Sequence, residues 1–141
     1  VVSIEQQYAG HAKQVGVCAA GLLSGGALTG KWIIVVDEDI DPSDFDDVIW
    51  AVCTRCDPET AIDAIPGFLT SPLDPSLLPN KRAARDFTTT KMIINACRPW
   101  NWKKDFPPLN RASKELKESV MKKWPEAFSH LNIEQYLKAQ V

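Results

Sequence analysis

Lys31-Trp-Ile-Ile-Val-Val-Asp-Glu-Asp-Ile-Asp-Pro-Ser-Asp-Phe-Asp-Asp-Val-Ile-Trp-Ala-Val-Cys-Thr-Arg-Cys-Asp-Pro58 decides the fold. Trp32 to Val36 is apolar without alternation and rich in β-branched residues, the pattern of a strand covered on both faces. Asp37 stops it, because a carboxylate buried without a partner is costly. Asp41 then predicts a helix N-cap, with Pro42 at the first helical position, where a missing N–H is no loss. Asp44, Asp46 and Asp47 place negative charge at the positive end of the helix dipole. Phe45, Val48, Ile49, Val52, Cys53 and Cys56 recur at helical spacing and predict one apolar face, ending near Arg55. Ala61 to Ile65 can return as a parallel strand through a right-handed crossover.

Outward from this unit, a first helix is predicted from Gln6 to Leu23, closed by Ser24-Gly25-Gly26. Pro66-Gly67 predicts a turn into Phe68-Leu-Thr-Ser-Pro-Leu-Asp-Pro-Ser-Leu-Leu-Pro79, a proline-stiffened loop too apolar to idle in solvent. Lys81 to Arg85 reads as a solvated basic surface. Lys91-Met-Ile-Ile-Asn95 predicts a third strand, followed by the aromatic turn Trp100-Asn-Trp102. From Ser113 the pattern is helical, with Leu116, Val120 and Trp124 apolar and a second short helix after Pro125. The expected fold class is α/β. It is a three-layer α/β/α domain with a small mixed sheet over residues 1–112 and a helical C-terminal arm over residues 113–141.

A length of 141 residues is enough for one well-cored domain. The net charge of −2 gives no bulk attraction to nucleic acid or to an anionic membrane surface, so neither is an expected partner. No apolar stretch approaches the roughly 18 residues of a membrane span, and no signal-peptide pattern opens the chain. Four cysteines do not make a disulfide framework, which fits a reducing, cytoplasmic setting. Val1 is not a methionine and stands mid-pattern, so a longer parent chain is expected.

Three groups of residues offer chemistry. Cys53-Thr-Arg-Cys56 is nominally a redox pair, but it closes a helix, where the dipole disfavours a thiolate; two buried or half-buried structural thiols are the expected reading. Asp37, Glu38, Asp39 and Asp41 lie at the carboxyl end of a strand, where α/β folds place their sites. They are hard-cation ligands by type, though without the spacing of a calcium loop. His11 is a general base by type, with no carboxylate at helical spacing to support it. Composition and spacing alone name no activity.

Longer strings do. Tyr8-Ala-Gly-His-Ala-Lys-Gln14, Val35-Val-Asp-Glu-Asp-Ile-Asp41, Asp47-Val-Ile-Trp-Ala51, Thr54-Arg55, Ser71-Pro-Leu-Asp-Pro75 and Ile93-Ile-Asn-Ala-Cys-Arg-Pro99 keep the order of the C-terminal domain of UbiD-type decarboxylases. Together they resemble that family across residues 8 to 106, nearest to members acting on hydroxylated aromatic acids. The resemblance implies reversible, non-oxidative decarboxylation with prenylated FMN, manganese and potassium in the full-length enzyme. The modified flavin serves as electron sink, and a glutamic acid returns a proton to the carbon. It also implies that the Glu–Arg–Glu network and the manganese ligands sit in a preceding domain. No catalytic residue is therefore expected in this chain, which would close the pocket, build a homo-oligomer and be inactive alone.

By position, the resemblance makes Ser71 and Leu73 substrate-lining residues and the Arg55 main chain a potassium contact. Asn95 stands where the family usually has Asp at a cation contact. Gly25 falls at the position of a lysine that approaches the cofactor, and Leu28 at that of a pocket tyrosine; Lys13 is the candidate substitute. The competing expectation is a non-catalytic assembly domain of the same fold. A thiol oxidoreductase is the third.

Overall fold

In the computed structural model, residues 1–22, 30–107 and 112–128 are described. The elements are β1 (Val2–Ile4), α1 (His11–Leu22), β2 (Trp32–Asp37), α2 (Phe45–Arg55), β3 (Ile62–Leu69), α3 (Pro79–Ala83), β4 (Thr88–Ala96) and α4 (Lys114–Lys123). Short 3-10 turns follow at Trp100–Trp102 and Pro125–Phe128. The chain divides into two compact units, Val1–Phe106 and Pro107–Val141. The first is an α/β domain around a mixed sheet of order β1-β2-β4-β3. The second holds α4 and the turn after it.

The apolar runs of β2 and β4 pair in parallel, Ile33 opposite Ile93 and Val35 opposite Asn95. Alternation along each strand gives the sheet two buried faces. Ile33, Val35 and Ile93 face α1 and form a cluster with Ala12, Ala20 and Cys97. Val36 and Ala96, of opposite parity and also fully buried, face the layer of α2, which packs on β4. The small residues of α1 let it sit close. A β-carbon built on Gly16 would come within 2.4 Å of Ile93 Cγ2.

Several expectations are corrected. α1 begins at His11 rather than Gln6, because the Gln6 side chain is drawn into the end of the sheet as part of an extended lead-in. The predicted end of this helix at Leu23 to Gly26 lies outside the described residues. β1, parallel to β2 along Val2–Ile4, is too short to show a period in sequence. α2 is capped by Asp44, whose Oδ1 accepts from the backbone N–H groups of Asp46 and Asp47. Asp41 instead folds its carboxylate onto Ser43, N–H at 2.8 Å and hydroxyl at 2.7 Å, in a turn of its own. That pair of bonds holds the exposed Asp41 carboxyl below its ordinary pKa.

The strand after α2 runs antiparallel to β4, and hence to β2, instead of returning parallel. The reason lies in Arg55: it closes α2 and its guanidinium pairs with Asp37 at the carboxyl end of β2, so the helix ends near that edge of the sheet. From that edge β3 can only run back down the sheet. Pro66-Gly67 does not turn the chain. It is a bulge, where Ile65 opposite Lys91 and Phe68 opposite Thr89 leave one extra residue in β3, with Gly67 at φ +87°. The added residue keeps Ile65 and Phe68 on the same face, both packed against the α1 cluster. Within the basic stretch, Lys81 to Ala83 belong to α3.

Gly16→Ala should destabilise the domain by about 1–3 kcal/mol, the cost of overpacking against a rigid strand. Gly21→Ala, on the exposed end of the same helix with no atom of the described residues within 4 Å of the added methyl, should stabilise by roughly 0.5–1 kcal/mol. Urea unfolding of both variants checks the pair.

Candidate functional site

At the carboxyl edge of the sheet, Asp37 is fully buried and satisfied from several sides. Gln6 Nε2 donates to Oδ1 at 2.7 Å. Oδ2 accepts from Arg55 Nη1 at 3.1 Å, from the Arg98 backbone N–H at 2.6 Å and from Arg98 Nε at 3.1 Å. Arg55 continues as a fork onto Asp39, at 2.8 and 2.7 Å, and Arg98 reaches Glu38 at 2.9 Å. The Arg55 guanidinium lies 5.2 Å from the Trp50 ring centroid and 5.9 Å from that of Phe106. Its Nε is buried and has no hydrogen-bond acceptor among the described residues.

These contacts set the charge states. Burial raises the Asp39 pKa, but the hydrogen bond and charge of Arg55, with the charge of Arg98, outweigh it and hold the carboxyl below its ordinary value. Burial alone would lower the pKa of Arg98; Asp37, Asp39 and Glu38 overcome that and raise it. Asp37, Glu38 and Asp39 are thus paired with protein cations. Among the described residues, no group of three or more His, Cys, Asp or Glu side chains is arranged to hold a metal ion. With its side chain committed to Asp37 and Asp39, Arg55 has only its main chain to offer a cation. Its position closes α2, where carbonyls gather partial negative charge. Asn95 already accepts the Cys97 N–H on Oδ1, at 3.1 Å.

Ser71 and Leu73 lie elsewhere. Their loop is tied by Asp74 to Lys31, the residue preceding β2, whereas Asp37 ends that strand. At about 3.3 Å per residue the two anchor points stand roughly 20 Å apart. The structure therefore gathers Arg55 with the carboxyl edge and sets Ser71 and Leu73 at the opposite edge. Leu73 is 79% exposed. Ser71 Oγ accepts the Leu73 N–H at 3.1 Å, which leaves its own proton to donate.

His11 stacks on Tyr8, with ring centroids 4.6 Å apart, and accepts the Gln7 N–H on Nδ1. Lys13 pairs with Asp63 at 2.8 Å on the surface. Gly25 and Leu28 lie outside the described residues. Cys53 is exposed rather than buried or half-buried, because α2 buries Val48, Ala51 and Arg55 and turns Phe45, Ile49 and Cys53 outward. Cys56 is half-buried, and burial together with the charge of Asp57 pushes its thiol pKa up. That is the wrong direction for a redox thiol.

Two groups of interest had no signal in sequence. Lys91, in the middle of the sheet, is fully buried, donates to the Ala20 carbonyl at the end of α1 at 2.6 Å and lies 5.0 Å from the Phe68 ring centroid. Asp74, a loop aspartate between prolines, is 3% exposed.

With this geometry in hand, comparison places the chain. Residues 1–96 match the family model of the 3-octaprenyl-4-hydroxybenzoate carboxy-lyase C-terminal domain. The chain belongs to this UbiD family of carboxy-lyases. The UbiD-class enzyme HmfF from Pelotomaculum thermopropionicum, solved in complex with FMN, superposes with a TM-score of 0.64 at 30% identity, over 80% of this chain and 23% of that one. The 3,4-dihydroxybenzoic acid decarboxylase AroY of Klebsiella pneumoniae gives 0.61 at 28% identity, over 79% and 24%. The vanillic acid decarboxylase of Sedimentibacter hydroxybenzoicus in its closed form gives 0.61 at 30% identity, over 86% and 25%. The chain spans about a quarter of the length of these solved structures. Among the described residues, no helix is long and apolar enough to cross a membrane.

Since folding depresses the pKa of Asp39, its contribution to stability is present above the unfolded-state value and is lost as pH falls through the lower folded-state value. Asp39→Asn should lower stability near neutrality and flatten the acid limb below the ordinary carboxylate range. Unfolding free energies measured across that range in both proteins check the sign.

Proposed function

We propose that this chain is the C-terminal, pocket-closing and assembly domain of a reversible, non-oxidative decarboxylase of hydroxylated aromatic acids. It works joined to a preceding catalytic domain. The observation that carries this reading is the 70–78 loop, an apolar side chain held outward by an otherwise anchored backbone, within a fold shared with decarboxylases of 3,4-dihydroxybenzoic and vanillic acid.

Prenylated FMN and manganese belong to the catalytic domain. When bound there, the flavin supplies an electron sink for the pair left behind as carbon dioxide departs. This chain's own part is to hold and orient. Pro72 and Pro75 restrict the backbone on either side of Leu73, which would press on one face of the aromatic ring. Ser71 would meet a ring hydroxyl with its free proton. Positioning of this kind is a large share of what such a site contributes. At the other edge, the Arg55 main chain at the end of α2, and less directly Asn95, would contact potassium.

The arm is read as an assembly element: Leu116, Val120 and Trp124 recur at a four-residue spacing and are all exposed, as apolar patches that mark interfaces are. The catalytic unit is then a homo-oligomer. A non-catalytic assembly domain keeps the fold but makes no contact with an acid substrate, and kinetics separates the two.

Leu73→Ala in the full-length, flavin-loaded enzyme should lose roughly 1–3 kcal/mol in kcat/KM, the worth of a few methylenes in an apolar pocket. Ser71→Phe should move preference away from the native ring pattern without lowering the melting temperature. Decarboxylation of 3,4-dihydroxybenzoic and vanillic acids, with thermal melts alongside, measures both. Unchanged kinetics in the two variants would remove the loop from the pocket.

A further inference from the structure

One carboxylate closes the 70–78 loop. Asp74 Oδ2 accepts from Lys31 Nζ at 2.6 Å and from Thr70 Oγ1 at 2.8 Å. Oδ1 accepts from the Ser76 N–H at 3.0 Å and from Ser76 Oγ at 2.9 Å. The backbone of the same residue does more: its N–H donates to the Ser71 carbonyl at 3.0 Å, and its carbonyl accepts from Arg82 Nη2 at 3.0 Å and from the Leu77 N–H at 3.1 Å. Lys31 Nζ also reaches Ser76 Oγ. Thr70 is tied in turn to the Phe87 carbonyl at 2.8 Å, and Leu77 is buried.

The segment from Thr70 to Leu77 is therefore pinned to β2 through Lys31, to α3 through Arg82 and to the start of β4 through Phe87. Each attachment lies within a few residues of Leu73, yet Leu73 itself is left 79% exposed. Its side chain adds almost nothing to the domain's own core. A buried carboxylate with four side-chain and backbone donors orders, above all, the direction of one outward leucine and the place of one half-buried hydroxyl. Such ordering lowers the entropy a bound ring would otherwise have to remove from the loop.

We propose that Asp74, with Lys31 as its counter-ion, is the positioning residue that fixes Leu73 and Ser71 for the aromatic substrate. The assignment rests on the pocket reading above and deepens it. Asp74 touches no substrate; it acts through the two side chains it orients. The expected signature is a loss in turnover and in discrimination between ring substituents, with the fold intact.

The test uses the full-length, flavin-loaded enzyme with Asp74→Asn, Lys31→Met and Lys31→Arg, beside Leu73→Ala. Hydrogen exchange of the peptide covering residues 70–78 and the kcat and KM for 3,4-dihydroxybenzoic and vanillic acids are read together. In Asp74→Asn and Lys31→Met, loop exchange should quicken while exchange in β2 and β4 stays as in wild type. The value of kcat should fall about tenfold or more, since small misplacements near a reacting ring are costly. The ratio between the two acids should move toward one, and Lys31→Arg should retain both wild-type exchange and turnover. If Asp74→Asn does not fold, Lys31→Met carries the same comparison. Unchanged exchange with unchanged kinetics in these variants, while Leu73→Ala is impaired, overturns the lock and leaves the pocket reading standing. Faster exchange with unchanged kinetics, and an unimpaired Leu73→Ala, overturns both.

Discussion

Much of the sheet domain depends on the buried ion pair between Asp37 and Arg55. Two charges held at 2% exposure or less are tolerable only when well hydrogen-bonded, and Gln6, Arg98 and Asp39 supply the bonds beyond the pair itself. Satisfying this pair dictates geometry. It fixes the phase of α2, since an inward Arg55 turns Ala51 and Val48 inward with it at helical spacing. It also brings the end of α2 near the carboxyl edge of the sheet, and from there β3 runs back antiparallel to β4. Residues from the lead-in to α1, the end of β2, the end of α2 and the segment after β4 meet on this one carboxylate.

This explains which parts of the fold were legible in sequence. The runs Trp32 to Val36 and Lys91 to Asn95 are local and apolar, and both are strands in the structure, as expected. The α/β class and the parallel β2–β4 pair follow from them, while the mixed character of the sheet comes from the antiparallel β3. The phase of α2 was not legible, because a hydrophobic pattern treats Phe45 and Ile49 as inward and an arginine as outward; the buried pair reverses both. The direction of β3 turns on the same pair, a contact between residues 18 apart that no periodicity records. Pro66-Gly67 reads equally as turn or bulge until the pairing on β4 is known.

For the site, the ordered motif strings were legible because they are local, and they point to the family to which the chain belongs. Their arrangement was not. Arg55 and Ser71 are 16 residues apart in sequence and lie at opposite ends of β2. The domain therefore offers two separate edges to its surroundings. One is a charge-neutralised carboxyl edge built on Asp37. The other presents a pinned apolar side chain, stabilised by a second buried aspartate that looks in sequence like an ordinary loop residue. At both edges a buried carboxylate ties the backbone in place.

The most direct test of the Asp37–Arg55 constraint is a double-mutant cycle by urea unfolding with Asp37→Leu, Arg55→Met and the double variant. Each single change takes one partner away from a buried charge, Asp37 keeping Gln6 and Arg98 and Arg55 keeping Asp39, and should cost about 3–5 kcal/mol. The double variant should be far more stable than the sum of the two implies, with a coupling of about 2–3 kcal/mol. Additive losses, with coupling near zero, would contradict the claim that this pair holds α2 and the strands in place.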